Sequence, residues 1–380
     1  MKKITALILS LILIFTFSLT AYAEPEDSEL SLSCKSAVLM NADTGEILYK
    51  LNPEERLPEA SITKVMTLLL VFEALDAGKI KLEDKVTCSA HAAGMGGSQI
   101  WLKEGETMTV GELIKAAAVG SANDASVALA EYIAGSHEAF VTMMNDRARQ
   151  LGMKQTSYKN CTGLDAEGHL TSALDVATVS AELIKHEKIF DYSTIWMDSL
   201  RNGELQLNNT NKLLKQYDGI TGLKTGTTSQ AGCCVCATAQ RDGMNLIAVI
   251  LGAPNSKTRF AEAKKLLDHG FANWEIADAA DFVPSMTDIE VKAGIETKLP
   301  VCAAMEGKIL TAKGNRGKIS ACVTYDEVTA PVEAGQTVGN VTLSADGIKL
   351  GEYPVITCIG TQKVTFARAF VYMLKSMLSM

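Results

Sequence analysis

Between Val65 and Leu75, inside "EASITKVMTLLLVFEAL" (59–75), apolar residues fall on nearly every side of a helical projection. Such a helix belongs in the centre of a domain rather than on its surface. It is expected to end at Gly78, a residue that suits a helix terminus. Upstream, "SAVLMNADTGEILYKLN" (36–52) predicts two strands around the turn Asp43-Thr44-Gly45. Downstream, "TVGELIKAAAVG" (109–120) and "DASVALAEYIAG" (124–135) predict two helices, each closed by glycine. More helix is expected near 137–151 and 173–187.

After Gly219 the period shortens. "GITGLKTG", "AGCCVCATAQ" and "MNLIAVILGAP" read as three strands, the last two antiparallel through the tight turn Arg241-Asp242-Gly243. A helix over 256–277 is expected to lie on that sheet. This order of elements predicts an α/β domain over 28–278 whose sheet has two chain-distant halves. Past Pro284, short strands spaced by turns predict a small β-sandwich over 284–361. In the tail 364–380, Thr365, Arg368, Tyr372, Lys375 and Ser379 make a narrow polar stripe on an apolar helix. It spans about 26 Å, which is short for a bilayer crossing. A helix lying in the plane of a membrane surface is expected instead.

Residues 1–23 combine Lys2 and Lys3, an apolar run and a small-x-small ending at Ala21-Tyr22-Ala23. This is the pattern of a secretory signal peptide cut after Ala23, so the protein is expected to be exported. The net charge is −8 and no basic stripe occurs, which argues against nucleic acid as a partner. Nine cysteines are an odd count for a disulfide framework, and most are expected to be small core residues. Strand alternation is expected to turn Cys234 away from Cys233 and Cys236. "HEAFV" (137–141) and "HEKIF" (186–190) lack the second histidine of a zinc motif, and no metal is expected. The loop 89–106 has Gln99 where a dinucleotide fingerprint needs glycine, and no cofactor is expected.

The chemistry centres on Ser61 and Lys64. A serine hydroxyl needs a base within hydrogen-bond reach, and a lysine serves only when it is neutral. Burial and a neighbouring cation both lower a lysine pKa. Lys64 lies one turn from Ser61 at the head of an almost wholly apolar helix, so it is expected to be buried. Ser61 stands at the helix start, where backbone N–H groups favour developing negative charge. In "GSANDAS" (120–126), Asp124 is expected to cap the second helix, leaving Ser121 and Asn123 to face a cleft. In "LKTGTT" (223–228), Lys224 offers a fixed positive charge that would keep Lys64 neutral and attract an anion. Gly226 permits close backbone approach, and a strand at a cleft edge can pair with an extended peptide.

Each element alone is weak. In the order S-x-x-K, S-x-N, K-T-G, they are specific. With "NADTGEILY", "GGSQIWLKEGE", "TSALDVA" and "NTNKLL", the chain resembles the low-molecular-mass penicillin-binding proteins, the serine-type D-alanyl-D-alanine carboxypeptidases. The resemblance covers nearly the whole chain after residue 23. It implies a β-lactamase/transpeptidase-like domain, with an antiparallel sheet flanked by helices and a helical subdomain. It further implies that Ser61 forms an acyl-enzyme with the penultimate D-Ala of a peptidoglycan stem, Lys64 taking the serine proton. Ser121 and Lys224 would relay a proton to the leaving D-Ala, and Asn123 would hold the substrate amide. The N–H groups of Ser61 and Thr227 would form the oxyanion hole, within the binding strand Lys224, Thr225, Gly226 and Thr227. Arg259 would receive the terminal carboxylate, and β-lactams would acylate Ser61.

Two departures are visible. Cys161 replaces a common proline, and Ala122 stands where class A β-lactamases carry aspartate. A β-lactamase would need a glutamate in an E-x-x-L-N segment, but "ELQLN" (204–208) lies too close to Lys224 and reads as a strand and turn. The three intact motifs argue against a non-catalytic wall-binding protein. The β-domain and the tail lean against an endopeptidase of the same family.

Overall fold

The computed structural model describes residues 30–368, 370 and 371. The expected signal-peptide segment and most of the tail expected to be an amphipathic helix lie outside them. Five strands, β1 (Ser36–Asn41), β2 (Ile47–Leu51), β3 (Ile220–Thr228), β4 (Gly232–Arg241) and β5 (Met244–Ala253), form one sheet. Its order is β2-β1-β5-β4-β3, antiparallel throughout. The two chain-distant halves therefore meet along β1 and β5, as the order of elements predicts. β1 is buried at every position, which requires cover on both faces.

That cover comes from helices on opposite sides. Val38, Met40, Ile247, Val249 and Leu251 face a core built with α1 (Lys64–Asp76), α2 (Val110–Val119), α3 (Asn123–Ala134), α4 (His137–Gln150) and α5 (Ala173–Leu183). α6 (Ser256–Asn273) packs on β4 and β5 from the other side. α1 is buried continuously from Lys64 to Phe72, the central helix that its apolar sequence demands.

Three expectations change. α6 stops at Asn273, and Trp274–Asp278 is a strand paired with Lys308–Ala312, a partner too distant in sequence for helical periodicity to reveal. Asp124 does not cap α3: Ala122 holds the cap position without a side-chain bond, and Asp124 accepts from the N–H groups of Ile100 and Leu102. Cys234 and Cys236 are both fully buried while Cys233 is half-buried, because residues two apart share a strand face. All nine cysteines are free thiols, and five are buried.

Beyond Pro284 lie a four-stranded sheet, Val301–Ala303, Ile348–Thr357, Thr337–Ala345 and Ser320–Tyr325 in spatial order, and a three-stranded one, Lys298–Leu299, Ile289–Lys292 and Val328–Thr329. Ile289, Val291 and Leu299 of one sheet share a core with Val338, Val341, Leu343 and Val355 of the other. The start of the tail is helical from Phe366. No helix among the described residues is long and apolar enough to cross a membrane.

Candidate active site

Ser61 lies in a 3-10 turn, Ala60–Thr63, that leads into α1. Ala60, just before it, has φ 51, a left-handed conformation that costs an L-residue about 1–2 kcal/mol. Strain of this kind persists only where the surroundings enforce it. Here a buried network does so. Thr63 Oγ1 lies 2.9 Å from the Ala60 carbonyl, 3.1 Å from Glu59 Oε1 and 2.8 Å from His169 Nε2. His169 Nδ1 accepts from the Lys159 N–H, so Nε2 carries the ring proton and donates to Thr63. Burial pushes the Glu59 carboxyl up to about 8 and the His169 imidazole down to about 4. Neutral His169 donates to Thr63 Oγ1, whose own proton is shared between the Ala60 carbonyl and Glu59 Oε1. Glu59, Thr63 and His169 carry no motif spacing, and sequence reasoning missed them.

Two glycines press on the same turn. A Cβ on Gly163 would collide with the Ala60 carbonyl oxygen, and one on Gly226 would lie 2.5 Å from the Glu59 oxygen. Gly163 also has φ +82. Gly163→Ala is therefore expected to destabilise by about 3 kcal/mol or more and to slow penicillin labelling. Thermal unfolding and labelling with a fluorescent penicillin check this. Unchanged values would show that the turn can shift freely.

Lys64 is completely buried. Its Nζ lies 3.1 Å from Ser61 Oγ, 2.7 Å from Asn123 Oδ1 and 2.7 Å from the Thr162 carbonyl oxygen. Burial pushes its pKa down to about 7, against the opposing pull of Cys161 and Asp124. A neutral amine has two N–H groups and one lone pair. Asn123 Oδ1 and the Thr162 carbonyl can only accept, so they take the two hydrogens. Ser61 is the one neighbour of the three that can donate back, and the lone pair is left for it. Thr162 supplies only a backbone carbonyl, which no residue pattern would have singled out.

Ser121, with φ 60, sits in the link between α2 and α3, and Asn123 is the first residue of α3. Lys224 Nζ donates to Ser121 Oγ at 2.9 Å. Asn123 Nδ2 donates to the Gly96 carbonyl at 2.7 Å, fixing the amide whose oxygen meets Lys64. Lys224, expected as a fixed positive charge, is buried, and burial first, then Lys64 and Arg259, drive its pKa well below the usual lysine value. Thr225 Oγ1 donates to Thr210 Oγ1 at 2.7 Å, tying β3 to the segment after the Leu205–Asn208 strand. Thr227 is exposed at the strand's end. Arg259 Nη1 donates to the Gly226 carbonyl and to Thr227 Oγ1, both at 2.9 Å. All nine singled-out positions thus gather around the end of β3 and the start of α1.

The family described as D-alanyl-D-alanine carboxypeptidase matches residues 21–255, more than half of the chain. The chain belongs to this family. A second family, described as penicillin-binding protein 5, C-terminal domain, matches residues 279–358. The D-alanyl-D-alanine carboxypeptidase DacF of Bacillus subtilis (strain 168) is 43% identical over 374 residues, covering 96% of each chain. Among solved structures, penicillin binding protein 5 from Haemophilus influenzae has a TM-score of 0.80 at 32% identity, covering 88% of this chain and 98% of that one. Penicillin-Binding Protein D2 from Listeria monocytogenes in the ampicillin-bound form has a TM-score of 0.59 at 32% identity, covering 64% and 99%. The first family match spans the five-stranded sheet and α1–α5 of this carboxypeptidase-family chain. The second spans the C-terminal sheets.

Proposed function

We propose that the protein is a serine-type D-Ala-D-Ala carboxypeptidase that trims the last D-Ala from peptidoglycan stem peptides. The observation that carries this reading is the buried Lys64, whose two N–H groups have fixed acceptors and whose lone pair is left for Ser61. Ser61 Oγ attacks the penultimate D-Ala carbonyl and Lys64 takes its proton. The N–H groups of Ser61 and Thr227 stabilise the oxyanion. As the tetrahedral intermediate collapses, the proton that Lys64 took is relayed through Lys224 and Ser121 to the amine of the departing D-Ala, which leaves all three side chains as they began. Water then cleaves the ester and returns the proton to Ser61. The substrate runs along β3, its amide on Asn123 and its terminal carboxylate at Thr227 with Arg259 behind it. A β-lactam enters the same sequence and stays on Ser61.

The same reading makes the protein exported and peripheral on the outer face of the cytoplasmic membrane. In support, Phe366, Phe370 and Val371 at the head of the tail helix are all exposed, Phe366 by 88%. Intact-mass measurement after penicillin treatment, with D-Ala release from diacetyl-Lys-D-Ala-D-Ala in parallel, tests the function. A single long-lived adduct and released D-Ala are expected. Fast penicillin turnover without D-Ala release would instead establish a β-lactamase.

A further inference from the structure

Three of the nine cysteines are exposed, Cys302, Cys322 and Cys358, and all lie past Pro284. An exposed cysteine is uncommon, because the residue packs as a small hydrophobe. The strand register places two of the three together. Val301–Ala303 pairs antiparallel with the end of Ile348–Thr357, Cys302 opposite Ile356 and Val301 opposite Thr357. The pairing continues one step further, where the Cys358 N–H donates to the Pro300 carbonyl at 2.9 Å. Val301 and Thr357 are buried, so alternation turns Cys302, Ile356 and Cys358 to the outer face. Cys302 and Cys358 are therefore diagonal neighbours on that face, and the right-handed twist of a sheet shortens one diagonal of each such pair of rungs.

The two thiols meet along that diagonal. Cys358 hydrogen-bonds to Cys302, and this contact first, then desolvation, raises the Cys358 pKa. Cys322 is an internal contrast. It lies on Ser320–Tyr325, at the opposite edge of the same four-stranded sheet, with two strands between it and Val301–Ala303. The place of the pair in the fold matters as well. Val301–Ala303 is a three-residue edge strand, and Cys358 is the first residue after Thr357. From Cys358 the chain leaves this sheet: Thr361 pairs with Val332, Lys363 pairs with Gly294, and the Val364 N–H donates to the Ala293 carbonyl at 2.9 Å. The pair thus stands where a short edge strand and the start of the tail segment are each held by few backbone bonds.

We propose that Cys302 and Cys358 are a disulfide site, which staples the edge strand to the point where the tail segment departs. The oxidant is a small-molecule disulfide of the glutathione class. One cysteine thiolate attacks a glutathione sulfur, the glutathione S–S bond breaks and one glutathione thiol leaves. The second cysteine attacks the protein sulfur of the mixed disulfide, which forms the Cys302–Cys358 bond and releases the second glutathione thiol. Two electrons pass from the cysteine pair to the oxidant, and the two cysteine protons end on the two glutathione thiols. Disulfides persist in exported proteins, so the proposal shares export with the proposed function and is independent of its carboxypeptidase chemistry. The bond closes a loop that contains the Ser320–Tyr325 and Thr337–Ala345 strands, and cross-links over long loops restrict the unfolded chain most.

In the test, the full chain is reduced and then exposed to oxidised glutathione, with native-state alkylation, peptide mapping and limited proteolysis as readouts. The oxidised wild type is expected to yield a Cys302–Cys358 cross-linked peptide and to lose both alkylation sites, while Cys322 forms no cross-link. Cleavage around Val301–Ala303 and within 358–364 is expected to slow about tenfold on oxidation and to recover on reduction. Cys302→Ser is expected to stop at a mixed disulfide on Cys358 and to gain no protection. A wild type that takes up one glutathione on each of Cys302 and Cys358 without cross-linking, or that leaves both thiols unreacted, overturns the site. A cross-link that leaves proteolysis unchanged overturns the staple. None of these readouts uses D-Ala release or penicillin, so failure here is distinguishable from failure of the carboxypeptidase reading.

Discussion

Ser61→Ala abolishes both D-Ala release and the penicillin adduct. The expected loss in kcat is about 10⁴-fold or more, because removing a nucleophile leaves only binding and oxyanion stabilisation. The fold should survive the change. Ser61 is half-buried and gives up one bond, at 3.1 Å, while Lys64 keeps Asn123 and Thr162 as partners. Loss of a single such bond costs about 1 kcal/mol. Intact mass after penicillin, D-Ala release and thermal unfolding read the three quantities independently. A variant that still carries a penicillin adduct, or still releases D-Ala, refutes Ser61 as the nucleophile. A variant that merely unfolds is distinguished by its melting curve.

What could be read from the sequence was whatever leaves a local or periodic trace. The apolar surround of Val65–Leu75 announced a central helix, and the chain places one there with Lys64 at its buried head. The Arg241-Asp242-Gly243 turn announced the β4–β5 hairpin, and the hairpin forms. Residues joined across the fold by side-chain to backbone contacts leave no such trace. Asp124 looks like a helix cap because aspartate at a helix start usually is one. Only the folded loop shows that Ile100 and Leu102 claim its carboxylate. Lys224 looks like an ordinary lysine in the residue string, and only the fold shows the burial beside Lys64 that lowers its pKa. The Glu59–Thr63–His169 network spans a gap of 106 residues between Thr63 and His169, and neither distance nor chemistry could be inferred from the residue string.

The acylation rate is expected to trace a bell against pH, with the two limbs belonging to different residues. Lys64 must be neutral to accept the Ser61 proton, and burial sets its pKa at about 7. Below that value each pH unit should cut the rate about tenfold, so pH 6 lies about one decade under the plateau. The alkaline limb comes from Glu59. Its carboxyl is protonated up to about 8, held there chiefly by burial and further by nearby Asp175, against the Thr63 bond. Above that pH it must ionise without water around it, and the Thr63 bond that restrains Ala60 is then rearranged. Linkage gives the same direction for stability. Between the ordinary carboxylate range and about 8, the folded state holds a proton that the unfolded state has lost, so this group's contribution declines as pH rises. Glu59→Gln keeps a neutral hydrogen-bonding group of the same shape, and is expected to remove the alkaline limb while leaving the acid limb in place. Lys64→Met is expected to lower acylation about 10³-fold at the plateau and to remove the acid limb, through loss of the base. Stopped-flow acylation by a chromogenic cephalosporin from pH 5 to 10 measures both limbs. A flat wild-type profile from pH 5 to 8, or a rate that falls with rising pH there, would reject Lys64 as the base. An alkaline limb unchanged in Glu59→Gln would assign that limb to another group.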